Sequence, residues 1–232
     1  MASSTPALAV IFGSSGGIGS ALVRQLRTRS RFEQVIELCR TSQPPMDLLD
    51  EDTINTAATY ASAAGEVHLV IDATGFLHDE NQAPERSWKA INVAALGRAF
   101  ALNAIGPALI MKHVLPLLPR RKRTVFATLS ARVGSIGDNR LGGWYSYRAS
   151  KAALNQLVRT AAIELARTHP QAICVALHPG TVETRLSSRF ARQDLEVQTP
   201  DQAATRLLDV VERLNPQDSG GFFDHRGETV PW

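Results

Sequence analysis

The chain has 232 residues, 44% of them hydrophobic and 20% charged, with a net charge of +3. The length suits one compact domain with its own core, and the composition excludes an intrinsically disordered chain, which couples low hydrophobicity to high charge. Two cysteines, Cys39 and Cys174, exclude a disulfide framework and read as apolar fillers in a reducing compartment, and a pI near 9.1 is too mildly basic to argue for nucleic acid.

Met1 to Pro6 carries no basic targeting region, and no run approaches the roughly 18–20 apolar residues a membrane span needs. The expectation is a cytoplasmic protein with no membrane partner. Ala7–Phe12 reads as a buried strand and Gly17–Thr28 as a helix. Gln34–Cys39 is a second strand, Asp50–Ala64 a helix and Val67–Ala73 a third strand. Asn92–Leu118 reads as helical, bent or broken near Gly106-Pro107. Thr124–Leu129 is a fourth strand. Tyr147–Thr168 is a long helix with its apolar face at Ala149, Ala152, Ala153, Leu157, Ala161 and Leu165. Ala172–Leu177, Pro200–Leu214 and Gly221–Phe223 supply a fifth strand, a last helix and a short last strand. Strands apolar at nearly every position are buried on both faces, and their alternation with helices means βαβ units. The predicted fold is α/β: a Rossmann-type doubly wound parallel sheet in a single domain spanning 1–232. Ligands bind at the carboxyl ends of such strands, so the turns at Gly13, Arg40, Ala73, Ser130 and His178 should converge on one cleft.

Gly13-Ser14-Ser15-Gly16-Gly17-Ile18-Gly19 fills the first strand-to-helix turn. Glycines permit close backbone approach there, and the helix N-terminus offers free N–H groups to a pyrophosphate. Gly13, Ser15, Gly17, Ile18 and Gly19 are therefore candidate cofactor contacts. The turn lacks the Gly-Lys-Ser/Thr ending of a P-loop. The second strand ends Cys39-Arg40-Thr41-Ser42. An NAD enzyme usually places an acid near Cys39 for the ribose hydroxyls. Arg40 can instead pair with a 2′-phosphate, which favours NADP(H) over NAD(H).

Tyr147 and Lys151 stand four apart, on one face of the long helix. A nearby ammonium stabilises phenolate and lowers the tyrosine pKa, so Tyr147 could exchange a proton while hydride moves. Ser130 ends the fourth strand, where its hydroxyl could hold a substrate carbonyl. Trp144 and Tyr145 line the pocket or pack as core. The run Arg120-Arg121-Lys122-Arg123 reads as a solvated loop without the aromatics that nucleic-acid binding would want, and six scattered histidines suggest no metal site.

The ordered set Gly13/Gly17/Gly19, Asp47-Leu48, Ala73-Thr74-Gly75, Asn103, Ser130, Tyr147/Lys151 and Pro179-Gly180-x-Val182-x-Thr184 resembles the classical short-chain dehydrogenase/reductases, from about Ala7 to Leu186. The stretch Val133 to Asn139, the Tyr147 to Lys151 block and the ending Gly220 to Trp232 look more narrowly like bacterial C-factor-like members. The resemblance implies Tyr147 as acid/base, with Lys151 lowering its pKa and binding the nicotinamide ribose. It also implies Asn103 holding a relay water and Ser130 orienting the substrate oxygen. Asp47 and Leu48 would contact adenine, and Pro179, Gly180, Val182 and Thr184 would line the nicotinamide. The substrate would be a small carbonyl or alcohol, the assembly a homodimer or homotetramer packed through the helices after Asn92 and Tyr147, and a lid would fall at about 185–199.

The sequence also departs from the family's pattern. The usual serine pair reads Ser130-Ala131, leaving Ser130 or Ser135 for the serine role. Asp72-Ala73-Thr74-Gly75 replaces an Asn-Ala-Gly run, and Phe76–Ala90 looks longer than usual. Two functions stand: an NADP(H)-dependent oxidoreductase acting on a carbonyl or alcohol, and a nucleotide-binding signalling protein of the same fold with little turnover.

Overall fold

Runs of aliphatic and β-branched residues build the centre of the molecule. They are β1 (Ala7–Phe12), β2 (Gln34–Leu38), β3 (Glu66–Asp72), β4 (Thr124–Leu129) and β5 (Ala172–His178), joined after two short strands, β6 (Thr181–Val182) and β7 (Val197–Gln198), by β8 (Phe222–Asp224). The structure is a computed structural model that describes residues 6–184, 186 and 197–232. Of the expected lid at about 185–199, residues 185 and 187–196 lie outside the described residues. Six strands pair in the order β2-β1-β3-β4-β5-β8, all parallel, while β6 pairs with β7.

Helices cover both faces of the sheet: α1 (Gly17–Arg29), α2 (Glu51–Ala64), α3 (Val93–Phe100), α4 (Gly106–Val114), α5 (Tyr145–Thr168) and α6 (Pro200–Arg213). The alternation along each strand sorts the core into two layers. Val10, Phe12 and Phe126 pack with Ile54, Ile110, Leu154 and Val158 of α2, α4 and α5. Ile11, Ile71 and Val175 pack with Leu22, Leu207 and Leu208 of α1 and α6. Burying strands on both faces is why their sequences are almost continuously apolar.

The strand order reverses at β1, whose neighbours are β2 and β3. That is the topological switch point at which such sheets bind ligands. The carboxyl-end turns meet there as expected. Gly13 N donates to Leu38 O (2.8 Å), Ala73 N to Phe12 O (2.9 Å) and Ser130 N to Leu177 O (2.8 Å). Among the described residues no strand lies beyond β2, and the chain runs from Leu38 into α2 through 39–50 without another βα unit.

Three expectations are corrected. The helical run after Asn92, expected to bend or break near Gly106-Pro107, continues through that pair, since Ile105 and Gly106 both keep helical φ and ψ. The irregularity lies one turn earlier, in a π-turn at Ala101–Ile105 centred on Asn103, the kind of bulge that concentrates at functional sites. Secondly, α5 buries Ser146, Ser150, Lys151, Leu154, Asn155, Val158, Ala162 and Leu165, whereas Ala149 and Leu157 are exposed and Ala152, Ala153 and Ala161 only partly buried. The functional side of the helix points inward, so a hydrophobicity pattern reads its polar interior stripe as a surface. Thirdly, Val93–Leu117 is long and apolar enough to cross a membrane by length and composition. In the fold its inner residues Ala99, Ile110 and Met111 are core, while Val93 (88% exposed) and Ile105 (54%) face outward.

Candidate active site

The β1–α1 turn is shaped by close approaches. Gly13 has φ +74°, and a Cβ there would lie 3.0 Å from the backbone of Ala73 and Thr74. A Cβ on Gly19 would come within 2.2 Å of Gly13 O. Gly16 caps α1 without a side-chain hydrogen bond, so the dipole end of the helix faces the cleft through backbone N–H groups alone. Ser15 and Gly17 are exposed beside it and Ile18 is half-buried. Thr184 stands against Gly17, with its Cγ2 2.9 Å from where a Cβ would sit, which joins the segment after β5 to the glycine turn.

Arg40 is exposed just past β2 and makes no ion pair among the described residues. Its neighbour Cys39 is not the buried filler the sequence suggested: it is half-buried, with Sγ 3.4 Å from Thr41 Oγ1. Partial burial pushes its thiol up, but hydrogen bonding to Thr41, Ser14 and Ser15 outweighs this and brings it down to about 7. Cys174 is fully buried, and burial holds its thiol up at about 12. Asp47 Oδ1 accepts from Leu49 N (3.0 Å), and Leu48 packs against Gly106 of α4.

Past β3, the Asp72 carboxylate is buried. Oδ1 accepts from Thr74 N (3.0 Å) and Thr74 Oγ1 (2.5 Å), and Oδ2 from Thr128 Oγ1 (2.7 Å). Burial raises its pKa, while these donors and the charge of Lys151 oppose the rise. Thr74 thus ties off a carboxylate where the family resemblance places an alanine. Gly75 follows, and a Cβ there would sit 3.7 Å from Lys151 Nζ and 3.8 Å from Asn103 Oδ1. Three sequence-predicted residues therefore meet at one point. Asn103 is fixed in the π-turn: Oδ1 accepts from Phe76 N (2.7 Å), and Nδ2 donates to Phe76 O (2.8 Å) and Ser150 Oγ (3.1 Å).

Lys151 Nζ donates to Leu129 O (2.7 Å). Burial brings its ammonium down to about 8 against the raising effect of Asp72. Burial also pushes the Tyr147 phenol up to about 12. The expected depression of the Tyr147 pKa by Lys151 is therefore not met: desolvation dominates, and the ammonium is engaged by a backbone carbonyl. Trp144 packs edge-on against Tyr147 at 6.2 Å and lines the same cavity, which settles it as pocket rather than core.

That cavity, about 540 Å³, is bounded by Tyr147, Ser130, Ala131, Trp144, Leu141 and the Pro179–Thr184 segment, with Arg132, Arg140 and Arg148 among its charged lining. Ser130 lines it and Ser135 does not. Ser130 Oγ donates to Asn155 Oδ1 (2.6 Å), and Ser135 Oγ accepts from Asp138 N (3.1 Å). Gly180, at φ +79°, brings the chain against Gln198 and His225, while Val182 is buried. His178 lines the cavity as a neutral ring, held down at about 4 by burial and the charge of Arg132. Arg132 itself approaches Asp224 (3.4 Å) and Asp138 (3.6 Å). Among the described residues, no three His, Cys, Asp or Glu side chains gather as metal ligands. Arg123 of the basic run donates to the last carbonyls of α6, and Lys122 pairs with Glu66 (2.5 Å).

Sequence reasoning missed Glu85 and Asn155. Glu85 is 6% exposed, and its carboxylate accepts from both the N–H and the hydroxyl of Ser146, while its carbonyl accepts from Trp144 N (2.5 Å). Trp144 has a positive φ and gives α5 no side-chain cap, so a distant carboxylate caps the helix that carries Tyr147 and Lys151. The unusual length of Phe76–Ala90 was the available signal.

A six-stranded doubly wound sheet with a glycine turn at its switch point, a lysine and an asparagine meeting at Gly75, and a tyrosine-lined cavity beyond β4 define a nucleotide-binding α/β protein. The family model described as enoyl-(acyl carrier protein) reductase matches residues 15–212. The chain belongs to the short-chain dehydrogenase/reductase family of oxidoreductases. It is 38% identical over 143 residues to C-signal of Myxococcus xanthus, covering 61% of this chain and 81% of that one. It is 29% identical to 1-hydroxy-2-glutathionyl-2-methyl-3-butene dehydrogenase of Rhodococcus sp. (strain AD45), covering 96% and 98%. Among solved structures, the NADPH-bound carbonyl reductase from chicken fatty liver superposes with a TM-score of 0.84 at 26% identity, covering 99% of this chain and all of that one.

Proposed function

We propose that the protein is an NADP(H)-dependent oxidoreductase that interconverts a small carbonyl compound and its alcohol, with Tyr147 as the acid/base. The observation that carries this reading is that Tyr147 and Ser130 line one cavity whose wall includes Thr184, in contact with Gly17 of the glycine turn. The residues present fit the cofactor. Gly13 and Gly19 leave no room for side chains where a pyrophosphate would lie, α1 presents uncapped N–H groups, and Arg40 is available for a 2′-phosphate. The NADPH-bound state of the chicken carbonyl reductase supports the same assignment.

When bound, NADPH would supply the hydride that the carbonyl carbon accepts. The chain's own part is protonic and positional. A phenol held near 12 keeps its proton at neutral pH, so Tyr147 begins reduction as the acid and protonates the carbonyl oxygen to give the alcohol. Ser130 orients that oxygen. Lys151 and Asn103 meet at Gly75, and the family resemblance gives them the relay that returns a proton to Tyr147. Oxidation of the alcohol runs the same transfers backwards.

The test is turnover across a panel of aldehydes and ketones with NADPH, wild type against Tyr147→Phe. Loss of reduction with cofactor affinity retained is expected, and equal turnover in the two proteins would sink the assignment. The second reading, a nucleotide-binding signalling protein, is favoured by the identity with C-signal; it gains if wild type binds NADPH and reduces nothing on the panel. We also propose a homodimer or homotetramer through the outward apolar face of α3–α5, where Val93, Ile105, Leu157 and Ile163 are exposed. A monomeric mass by light scattering would exclude it.

A further inference from the structure

At the carboxyl end of β4 two residues meet the cavity, Ser130 and Ala131; only the first carries a hydroxyl. Ser130 is 3% exposed, and its Oγ donates to Asn155 Oδ1 at 2.6 Å. A serine hydroxyl has one proton. While that proton points at Asn155, Ser130 can only accept a hydrogen bond. A carbonyl oxygen is itself an acceptor, so a serine in this state cannot hold one.

Asn155 lies on α5 one turn beyond Lys151 and is also 3% exposed. Its Nδ2 is buried and has no hydrogen-bond partner among the described residues. A buried amide donor without an acceptor is rare and costly, more so than an under-used carbonyl. Both anomalies have one remedy. A half-turn of the amide about Cβ–Cγ keeps the shape of the side chain but exchanges its oxygen and nitrogen. Nδ2 then donates to Ser130 Oγ, and the Ser130 proton is released toward the cavity and Tyr147.

We propose that Asn155 is a positioning residue that sets the donor state of Ser130, so that the serine presents a proton to the substrate oxygen only when the amide is turned. The inference rests on the reading of Ser130 as the group that orients a carbonyl. It assigns no contact between Asn155 and the substrate.

Asn155→Asp tests it, because a carboxylate of the same shape only accepts and keeps the Ser130 proton away from the cavity. The expected result is a roughly 10- to 100-fold fall in kcat/KM for carbonyl reduction, matched by Ser130→Ala, with NADPH affinity by fluorescence within about twofold of wild type. The double variant Ser130→Ala with Asn155→Asp should fall no further than Ser130→Ala alone. Wild-type kcat/KM in either single variant would overturn the proposal, as would an Asn155→Asp loss that persists undiminished in the Ser130→Ala background. A second measurement is independent of turnover and of how Asn155→Asp folds. The side-chain amide protons of Asn155, followed by nitrogen-15 spectroscopy, should shift in Ser130→Ala. Resonances identical to wild type would overturn the coupling even if no carbonyl substrate were found, whereas a shift without turnover would count against the carbonyl reading alone.

Discussion

The two sides of the cleft are built by opposite means. On the β1–β2 side the chain makes room: Gly13 and Gly19 sit where any side chain would collide with backbone, and the groups offered to a ligand are N–H dipoles and Arg40. On the β4–α5 side the chain fills the space with buried polar side chains that hold one another, Ser130 with Asn155, Ser150 with Asn103, and Ser146 with Glu85. A site made of backbone is broken by adding atoms. A site made of interlocked side chains is broken by removing a hydrogen-bonding partner, and the damage travels to the next residue.

Gly19→Val should therefore give the largest effect, and on binding rather than chemistry. Its Cβ would come 2.2 Å from Gly13 O, so the turn must open. NADPH affinity by fluorescence titration should fall at least about 100-fold, equivalent to about 2.7 kcal/mol. Near-normal affinity would mean that the turn is not the phosphate site and that the comparison between the two sides is wrong.

Glu85→Ala is the corresponding break on the other side. It strips Ser146 of a buried, charge-assisted acceptor at the N-terminus of α5, a loss of about 1.5–3 kcal/mol. For a chain of this length that corresponds to a fall in Tm of roughly 3–12 °C by calorimetry. Because α5 carries Tyr147, kcat should drop while NADPH affinity holds. A variant that loses cofactor affinity first would show that the two sides are not separable.

Arg40→Asp is a smaller and more selective change. The exposed guanidinium has no ion pair among the described residues, so the fold should not register its loss. NADPH affinity should fall about 10- to 100-fold, with NADH affinity unchanged or improved. Equal titrations for NADPH in the two proteins would remove Arg40 from the cofactor site.

The same contrast explains what could be read from the sequence. The glycine turn, the six strands of the sheet and the Tyr147/Lys151 pair are local patterns, each written within one turn, one strand or one helix. They appear in the structure where the sequence placed them, within one to two residues at element ends. Hydrophobic periodicity points to the wrong face of α5 because Ser146, Ser150, Lys151 and Asn155 are buried by partners that it cannot see. Glu85 reaches Ser146 across 61 residues and Asn155 reaches Ser130 across 25. Such pairs exist only once the sheet has formed, so no spacing rule announces them. The pKa of Tyr147 departs from what its helical spacing suggests for a related reason, since burial raises it. Four-residue spacing brings Lys151 to the correct face, but burial, opposed by the charge of Asp72, sets the pKa of its ammonium.

The last and smallest effect uses Cys39 as a reporter on the backbone-built side. Its thiol lies near 7 and that of Cys174 near 12, and only the thiolate is nucleophilic. Alkylation by iodoacetamide, followed by mass spectrometry, should thus modify Cys39 and spare Cys174. Lowering the pKa favours the charged form, so the rate should rise through about pH 7 and level off about one to two units above it, where nearly all of Cys39 is thiolate. Thr41→Val removes one of the donors that hold the thiolate, and its rate profile should move to higher pH. Cys39 adjoins Arg40 at the end of β2, so bound NADPH should slow the reaction severalfold while leaving the folded core untouched. Bound NADPH that changes nothing at Cys39 would place the adenosine end of the cofactor elsewhere, even if turnover proceeds normally on the β4–α5 side.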